Sequence, residues 1–231
     1  MSHRKYAVRV PRAAAGIRAQ ETRAGVGRSW WAKRWLSTLE KMGLGARLGR
    51  GRNYAVSGQV VELKTEGPHV EATVVGSRPD PYRVTIDFRL PGDEAAAKII
   101  AALRAEPILI ARLLVDDLPT EVEAIFRREG CDLFPGGKIA KGVYDMTVKC
   151  SCPDYANPCK HSSAVLLILG EEIARRPLTL LEFRGITVDD LCEDVAQHQE
   201  LRGITVDDPC ETTARRQELR GITVDDPCEE G

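Results

Sequence analysis

Four side chains that bind soft and borderline metals fall within twelve residues of this chain: Cys150, Cys152, Cys159 and His161. Met146, Val148, Cys150 and Cys152 alternate, so a strand here puts both of its thiols on one face. Pro153 and Asn157-Pro158 force turns across the six residues that separate Cys152 from Cys159. Ser162–Ile173 is an apolar run that reads as a helix, with His161 near its first turn. Three thiols and one imidazole therefore converge from the end of a strand and the start of a helix. Such a set completes a tetrahedral shell for Zn2+. A helix N-terminus also favours the thiolate at Cys159. Four protein ligands leave no position for water, which makes the site structural rather than catalytic.

Other chemistries fit these residues less well. A Cys150–Cys152 disulfide would be strained on one strand. A zinc deaminase needs His-x-Glu upstream of Pro-Cys-x-x-Cys, whereas Pro158-Cys159 is followed by Lys160-His161. The chain has no phosphate-binding Gly-Lys-Ser/Thr loop, no Ser/His/Asp set and only four histidines. The expectation is a protein that is not an enzyme and takes no small-molecule substrate. The longest apolar run, Ala164–Leu169, is far short of the roughly 18–20 residues of a membrane span. The first residues, Met1-Ser-His-Arg-Lys5, do not read as a secretory leader. A cytoplasmic protein with reduced thiols and no membrane partner is expected.

The net charge of −1 conceals a gradient. Residues 1–90 hold 17 Lys/Arg against 7 Asp/Glu, and residues 179–231 hold 5 against 14. A basic end of this kind suits a polyanion such as DNA or RNA. The acidic end is a repeat of 18 residues, set by Cys192, Cys210 and Cys228. Each copy carries Arg-Gly-Ile-Thr-Val-Asp-Asp. The copies are shorter and more alike than stacking repeat units, and their charge opposes folding. The expectation is a poorly ordered acidic tail. The first copy, which follows Pro177–Phe183 directly, is a candidate end of the folded domain.

Periodicity places the remaining elements. Trp30–Leu44 reads as a helix with Ser29 as its N-cap and Gly43 or Gly45 at its end. Trp31, Trp35 and Leu39 share one of its faces. Arg47-Leu-Gly-Arg50-Gly-Arg52-Asn53 reads as a Gly-rich basic loop. Three strands follow, in which Val61 and Leu63, then Val70, Ala72 and Val74, then Val84, Ile86 and Phe88 alternate with polar residues. They make an antiparallel sheet with one wet face. Asp93–Ala105, Ile108–Val115 and Thr120–Glu129 read as helices, the last stopped by Gly130. Arg47, Arg50 and Arg52, with Lys33 and Arg34, are the candidate nucleic-acid contacts, because guanidinium and bare backbone both approach phosphate closely. Trp30, Trp31 and Trp35 are candidates to stack on bases; the alternative is that Trp31 and Trp35 anchor their helix to the sheet. Cys131 reads as a partly buried small residue and His69 as a surface one.

The pattern Cys-x-Cys, a short spacer, then Cys-x-His resembles the SWIM zinc finger. The spacer Pro153–Pro158 and Lys160 look like the bacterial form of that finger. Arg50-Gly-Arg52-Asn-Tyr54-Ala55, Gly76-Ser-Arg78 and Pro81-Tyr82 are similar to the N-terminal module of bacterial SWIM proteins, and Leu118-Pro119 and Leu133-Phe-Pro135 to its linker. The likeness runs from near Trp30 to the first tail copy. It implies zinc, binding to DNA or protein, and work beside a Swi/Snf-family helicase. The expected α+β architecture has five parts: a basic arm (1–28), a small antiparallel β-rich basic module (29–92), a helical linker (93–135), a strand–turn–helix SWIM finger (136–182) and the repeat tail (183–231). The function expected is non-catalytic recognition of nucleic acid. The alternative is a protein–protein adaptor whose finger and tail dock a helicase.

Overall fold

The computed structural model describes residues 10–20, 29–42, 45–135, 138–140, 143–154 and 157–192. Two helices come first, α1 (Trp30–Lys41) and α2 (Ala46–Val56), followed by β1 (Val60–Glu66), β2 (His69–Val74) and β3 (Tyr82–Phe88). Helices α3 (Asp93–Arg104), α4 (Pro107–Leu114) and α5 (Thr120–Arg128) lead to a short hairpin of β4 (Lys138–Ala140) and β5 (Val143–Tyr144). Then come β6 (Met146–Cys150), α6 (Lys160–Arg175) and α7 (Thr179–Glu182). The fold is mixed helix and antiparallel sheet, as the periodicities predict.

The sheet has the order β1-β2-β3-β6. Its inner face is the alternating set Val70, Ala72, Val74, Val84, Ile86 and Phe88, all buried. The fourth strand belongs to the metal-binding stretch: Val84 pairs with Cys150 and Ile86 with Val148. Modules expected at 29–92 and 136–182 thus share one sheet. The first strand departs from its expected alternation at its start. A register shift between Val60 and Glu62 buries Val60 and leaves Val61 39% exposed, while Leu63, paired with the buried Ala72, keeps the expected face. Residues 10–20 run past that strand start, with Ile17 N–H donating to the Val60 carbonyl at 2.7 Å and Arg12 N–H to that of Gly76 at 2.9 Å.

Helix α6 is the core of the unit. Every residue from His161 to Gly170 is buried, as expected of a helix apolar on all sides. Two glycines let neighbours approach it or lie against it. At Gly170 a Cβ would stand 2.7 Å from the Trp35 ring, whose indole N–H donates to the Leu166 carbonyl at 3.1 Å. At Gly51 a Cβ would stand 2.5 Å from that of Ser163. The latter contact belongs to α2 and corrects the reading of Arg47–Asn53 as a loop. Local glycines disfavour a helix there, but Gly51, Tyr54 and Ala55 form a buried face against α6 and tertiary packing prevails. Gly51→Ala should therefore destabilise by about 1 kcal/mol net, because overpacking outweighs the helix propensity gained. Gly49→Ala, where nothing lies within 4 Å of the added carbon, should stabilise by up to about 1 kcal/mol. Urea denaturation of the two variants reads the opposite signs.

The tryptophans anchor α1, though to α6 and the segment before α5 and not to the sheet. Trp35 is fully buried, and Trp30 and Trp31 donate their indole N–H to the carbonyls of Leu118 at 2.7 Å and Ile173 at 3.1 Å. Ser29 caps α1 by accepting from Ala32 N–H, and Gly130, at φ +69°, follows α5 as expected. Cys131 is half-buried.

The start of the first repeat copy is part of this core. Phe183 stacks on Phe88 with centroids 4.1 Å apart, and Ile186 and Leu191 are buried. The Arg184 side chain is 0% exposed and forms a two-pronged ion pair with Asp145. A second unit begins at Cys192. The later copies, with Cys210 and Cys228, lie outside the described residues, as does most of the expected basic arm. Among the described residues no helix is long and apolar enough to cross a membrane.

On the outer face of the sheet His69 Nδ1 lies 2.6 Å from Asp87 and Nε2 3.5 Å from Glu71. The hydrogen bond to Asp87, aided by Glu71, raises the imidazole above its ordinary 6.5. A raised folded-state value stabilises below the unfolded pKa and is lost as pH rises through the folded one. The destabilisation by His69→Ala should therefore be larger near pH 5 than at about pH 8, read as the difference in melting temperature.

Candidate metal centre

Each ligand is placed by a different piece of local structure. Cys150 ends β6. Ser151 fastens the following turn to β3: its N–H donates to the Arg83 carbonyl and its hydroxyl accepts from Arg83 N–H, both at 3.0 Å. Cys152 lies in the bend just past the strand. Asn157 closes the turn by donating its side-chain amide to the Val148 carbonyl at 2.6 Å. Cys159 is the N-cap of α6. Its sulfur accepts from Ser162 N–H, and the Ser162 hydroxyl accepts from Cys159 N–H at 2.9 Å, a reciprocal capping box with cysteine in the usual Ser/Thr place. The helix then delivers His161 one residue inside its first turn.

The four donor atoms lie within 4.8 Å of one another. His161 Nδ1 is 3.9 Å from Cys150 Sγ and 3.7 Å from Cys159 Sγ. A tetrahedral zinc with ordinary bond lengths has ligand–ligand edges of about 3.6–3.8 Å. The spacing, and the three-sulfur, one-nitrogen donor set, fit Zn2+. Cys159 and His161 are buried; Cys150 and Cys152 are partly exposed. Two tyrosines clamp the imidazole: Tyr82 at 4.4 Å between centroids and Tyr54, edge-on, at 5.2 Å. Gly76 makes room for the Tyr82 ring beside His161 Nε2.

Without the ion the cluster is polarised. A hydrogen bond from Cys150, then those from His161 and Ser162, holds the Cys159 thiol far below its ordinary value. The same bond to Cys159, with burial, pushes Cys150 up, and burial raises Cys152. The cap and its hydrogen bonds thus favour the thiolate at Cys159, and metal binding requires all three thiols to deprotonate. His69-Val70-Glu71 supplies a His-x-Glu triplet, but its imidazole is bonded to Asp87 outside this cluster.

The candidate polyanion contacts separate into two groups. Arg50 and Arg52 are exposed on α2, and Arg47, at its start, is half-buried. Lys33 is exposed on α1, whereas Arg34 turns to α5, 3.0 Å from Glu123 and over the Phe134 ring. Lys160 joins the α2 group, since its ammonium sits 5.2 Å from the Tyr54 ring centre. Sequence reasoning passed over Lys160 as a contact, and over Ser151 and the two tyrosines as supports. Only the fold brings them to the site.

Residues 143–170 match the family model described as the SWIM zinc finger. The span takes in β5, β6, all four ligands and the first two-thirds of α6. A protein of Mycobacterium tuberculosis, Uncharacterized protein Rv2102, is 38% identical over 181 residues, which are 78% of this chain and 64% of that protein. The chain thus spans less than two thirds of the length of the relative it matches. No solved structure matches it.

Proposed function

We propose that this chain, which carries a SWIM zinc finger, is a non-catalytic recognition protein that binds nucleic acid through a basic helix held by the finger. The carrying observation is the join between α2 and α6. Two residues beyond His161, Ser163 locks against Gly51, and on either side of Gly51 stand the exposed Arg50 and Arg52. The metal would be held by Cys150, Cys152, Cys159 and His161. It would supply rigidity, because four protein ligands leave it no open position for chemistry. Its thiols need a reducing compartment, which favours the cytoplasm. The resemblance to SWIM proteins makes a Swi/Snf-family helicase the proposed working partner.

One observation favours protein docking as a second reading. Helix α4 and its C-cap expose Ile108 (66%), Leu114 (49%) and Val115 (74%), large apolar side chains that a protein partner would cover.

A salt series on DNA and RNA tests the first reading. Binding should fall steeply with salt, and Arg50→Ala with Arg52→Ala should flatten the log–log slope by about two. An unchanged slope would remove α2 from the contact, and no binding at low salt would leave the protein-docking reading.

A further inference from the structure

We propose that the outer face of α2 is a reading head for duplex DNA, entering the major groove with Gly49, Arg50 and Asn53 toward the base edges. The proposal rests on the nucleic-acid reading above and goes further, to the strand form, the groove and the residues.

Three observations carry it. The first is shape. Helix α2 has 11 residues, about 16 Å at 1.5 Å per residue, and a B-form major groove about 12 Å wide admits such a helix. Ala46, Gly49, Arg50 and Asn53 are all exposed and follow the i, i+3, i+4, i+7 spacing of one helical face. Arg and Asn are the side chains that reach guanine and adenine with paired hydrogen bonds.

The second is Gly49. A glycine inside a helix is unfavourable, and Gly51 earns its place by contact with α6. Gly49 has no such reason, since a Cβ there meets nothing within 4 Å. What it provides is bare backbone on the outer face, as needed where another molecule approaches closely.

The third is charge. From Lys41 to Val61 there is no acidic residue, while Lys41, Arg47, Arg50 and Arg52 are basic. Lys160, held over Tyr54, adds a cation from the finger beside the helix. The inner face is pinned by Gly51, Tyr54 and Ala55, so the outer face is presented rigidly. Duplex RNA is disfavoured because its major groove is too deep and narrow for a helix. Base stacking on single strands finds no support in Trp30, Trp31 or Trp35, which anchor α1.

The test uses the full zinc-loaded chain and duplex DNA enriched from a randomised pool on the wild-type protein, with RNA of the same sequence and the single strands as competitors. Gly49→Gln should weaken duplex binding about tenfold or more while the melting temperature holds or rises, a combination a structural role for Gly49 would not produce. Asn53→Ala should relax base preference at one position of the selected site. Methyl green, which occupies the major groove, should compete, and the minor-groove ligand netropsin should not. If Gly49→Gln and Asn53→Ala bind as wild type while Arg50→Ala/Arg52→Ala is weakened, α2 touches phosphate only; the groove proposal falls and the broader reading stands. If Arg50→Ala/Arg52→Ala also binds as wild type, both fall.

Discussion

Cys159→Ser protein should purify without zinc, and its whole folded unit, not the finger alone, should be lost. Structural zinc contributes about 10–16 kcal/mol in peptide models, against about 5–15 kcal/mol for the net stability of a domain. A finger on an independent module would lose only itself. Here β6 pairs with β3, and α6 carries the packing of α1 and α2, so the metal's contribution is spread through the sheet and three helices. Cys159 also caps α6, and the serine keeps that cap. The loss therefore reports the metal and not the helix end. Chelator titration followed by far-ultraviolet circular dichroism should show one cooperative loss of helix and strand together. Cys131→Ser, outside the cluster, should keep its zinc and its melting temperature. A zinc-free Cys159→Ser protein that melts like wild type would contradict this account of the fold.

Arg184→Ala should destabilise the protein by about 3–5 kcal/mol, because it leaves a buried carboxylate without its partner. Asp145 accepts from both arms of the Arg184 guanidinium, and one arm also donates to the Arg89 carbonyl at 2.7 Å. Both side chains are nearly or fully removed from water. The pair itself is a weak source of net stability, since desolvation offsets its attraction. Replacing both members, as Arg184→Met with Asp145→Leu, should recover most of the loss. Urea denaturation of the two single variants and the double gives the coupling directly. An Arg184→Ala variant within about 0.5 kcal/mol of wild type would show that the pair is open to solvent.

The metal centre was legible because its information is local. Four ligand types within twelve residues, parted by turn formers, leave little for distant contacts to decide. The inner faces of β2 and β3 and the spans of α3, α4 and α5 were legible for a related reason, since periods of two and of 3.6 report burial directly. What stayed hidden depends on partners far away in the chain. Arg47–Asn53 has the composition of a loop, and its helix is explained by Ser163 and Ala164, which receive Gly51. The exposure of Val61 comes from a register shift against β2 that the alternation of β1 does not contain. Arg184 sits in a segment whose acidity suggested a tail. Only the meeting with Asp145, 39 residues earlier, turns its first copy into core. The placement of Lys160 beside α2 likewise exists only once α6 lies against that helix.

The most direct test of the central claim is the first coordination shell of the metal. Elemental analysis and zinc X-ray absorption on the purified full chain should give one zinc with three sulfurs at about 2.3 Å and one nitrogen at about 2.0–2.1 Å. Well-folded protein without zinc would contradict the claim. So would a shell in which an oxygen replaces one of the four ligands, because an open position would make the site a candidate for chemistry rather than a clasp for the fold.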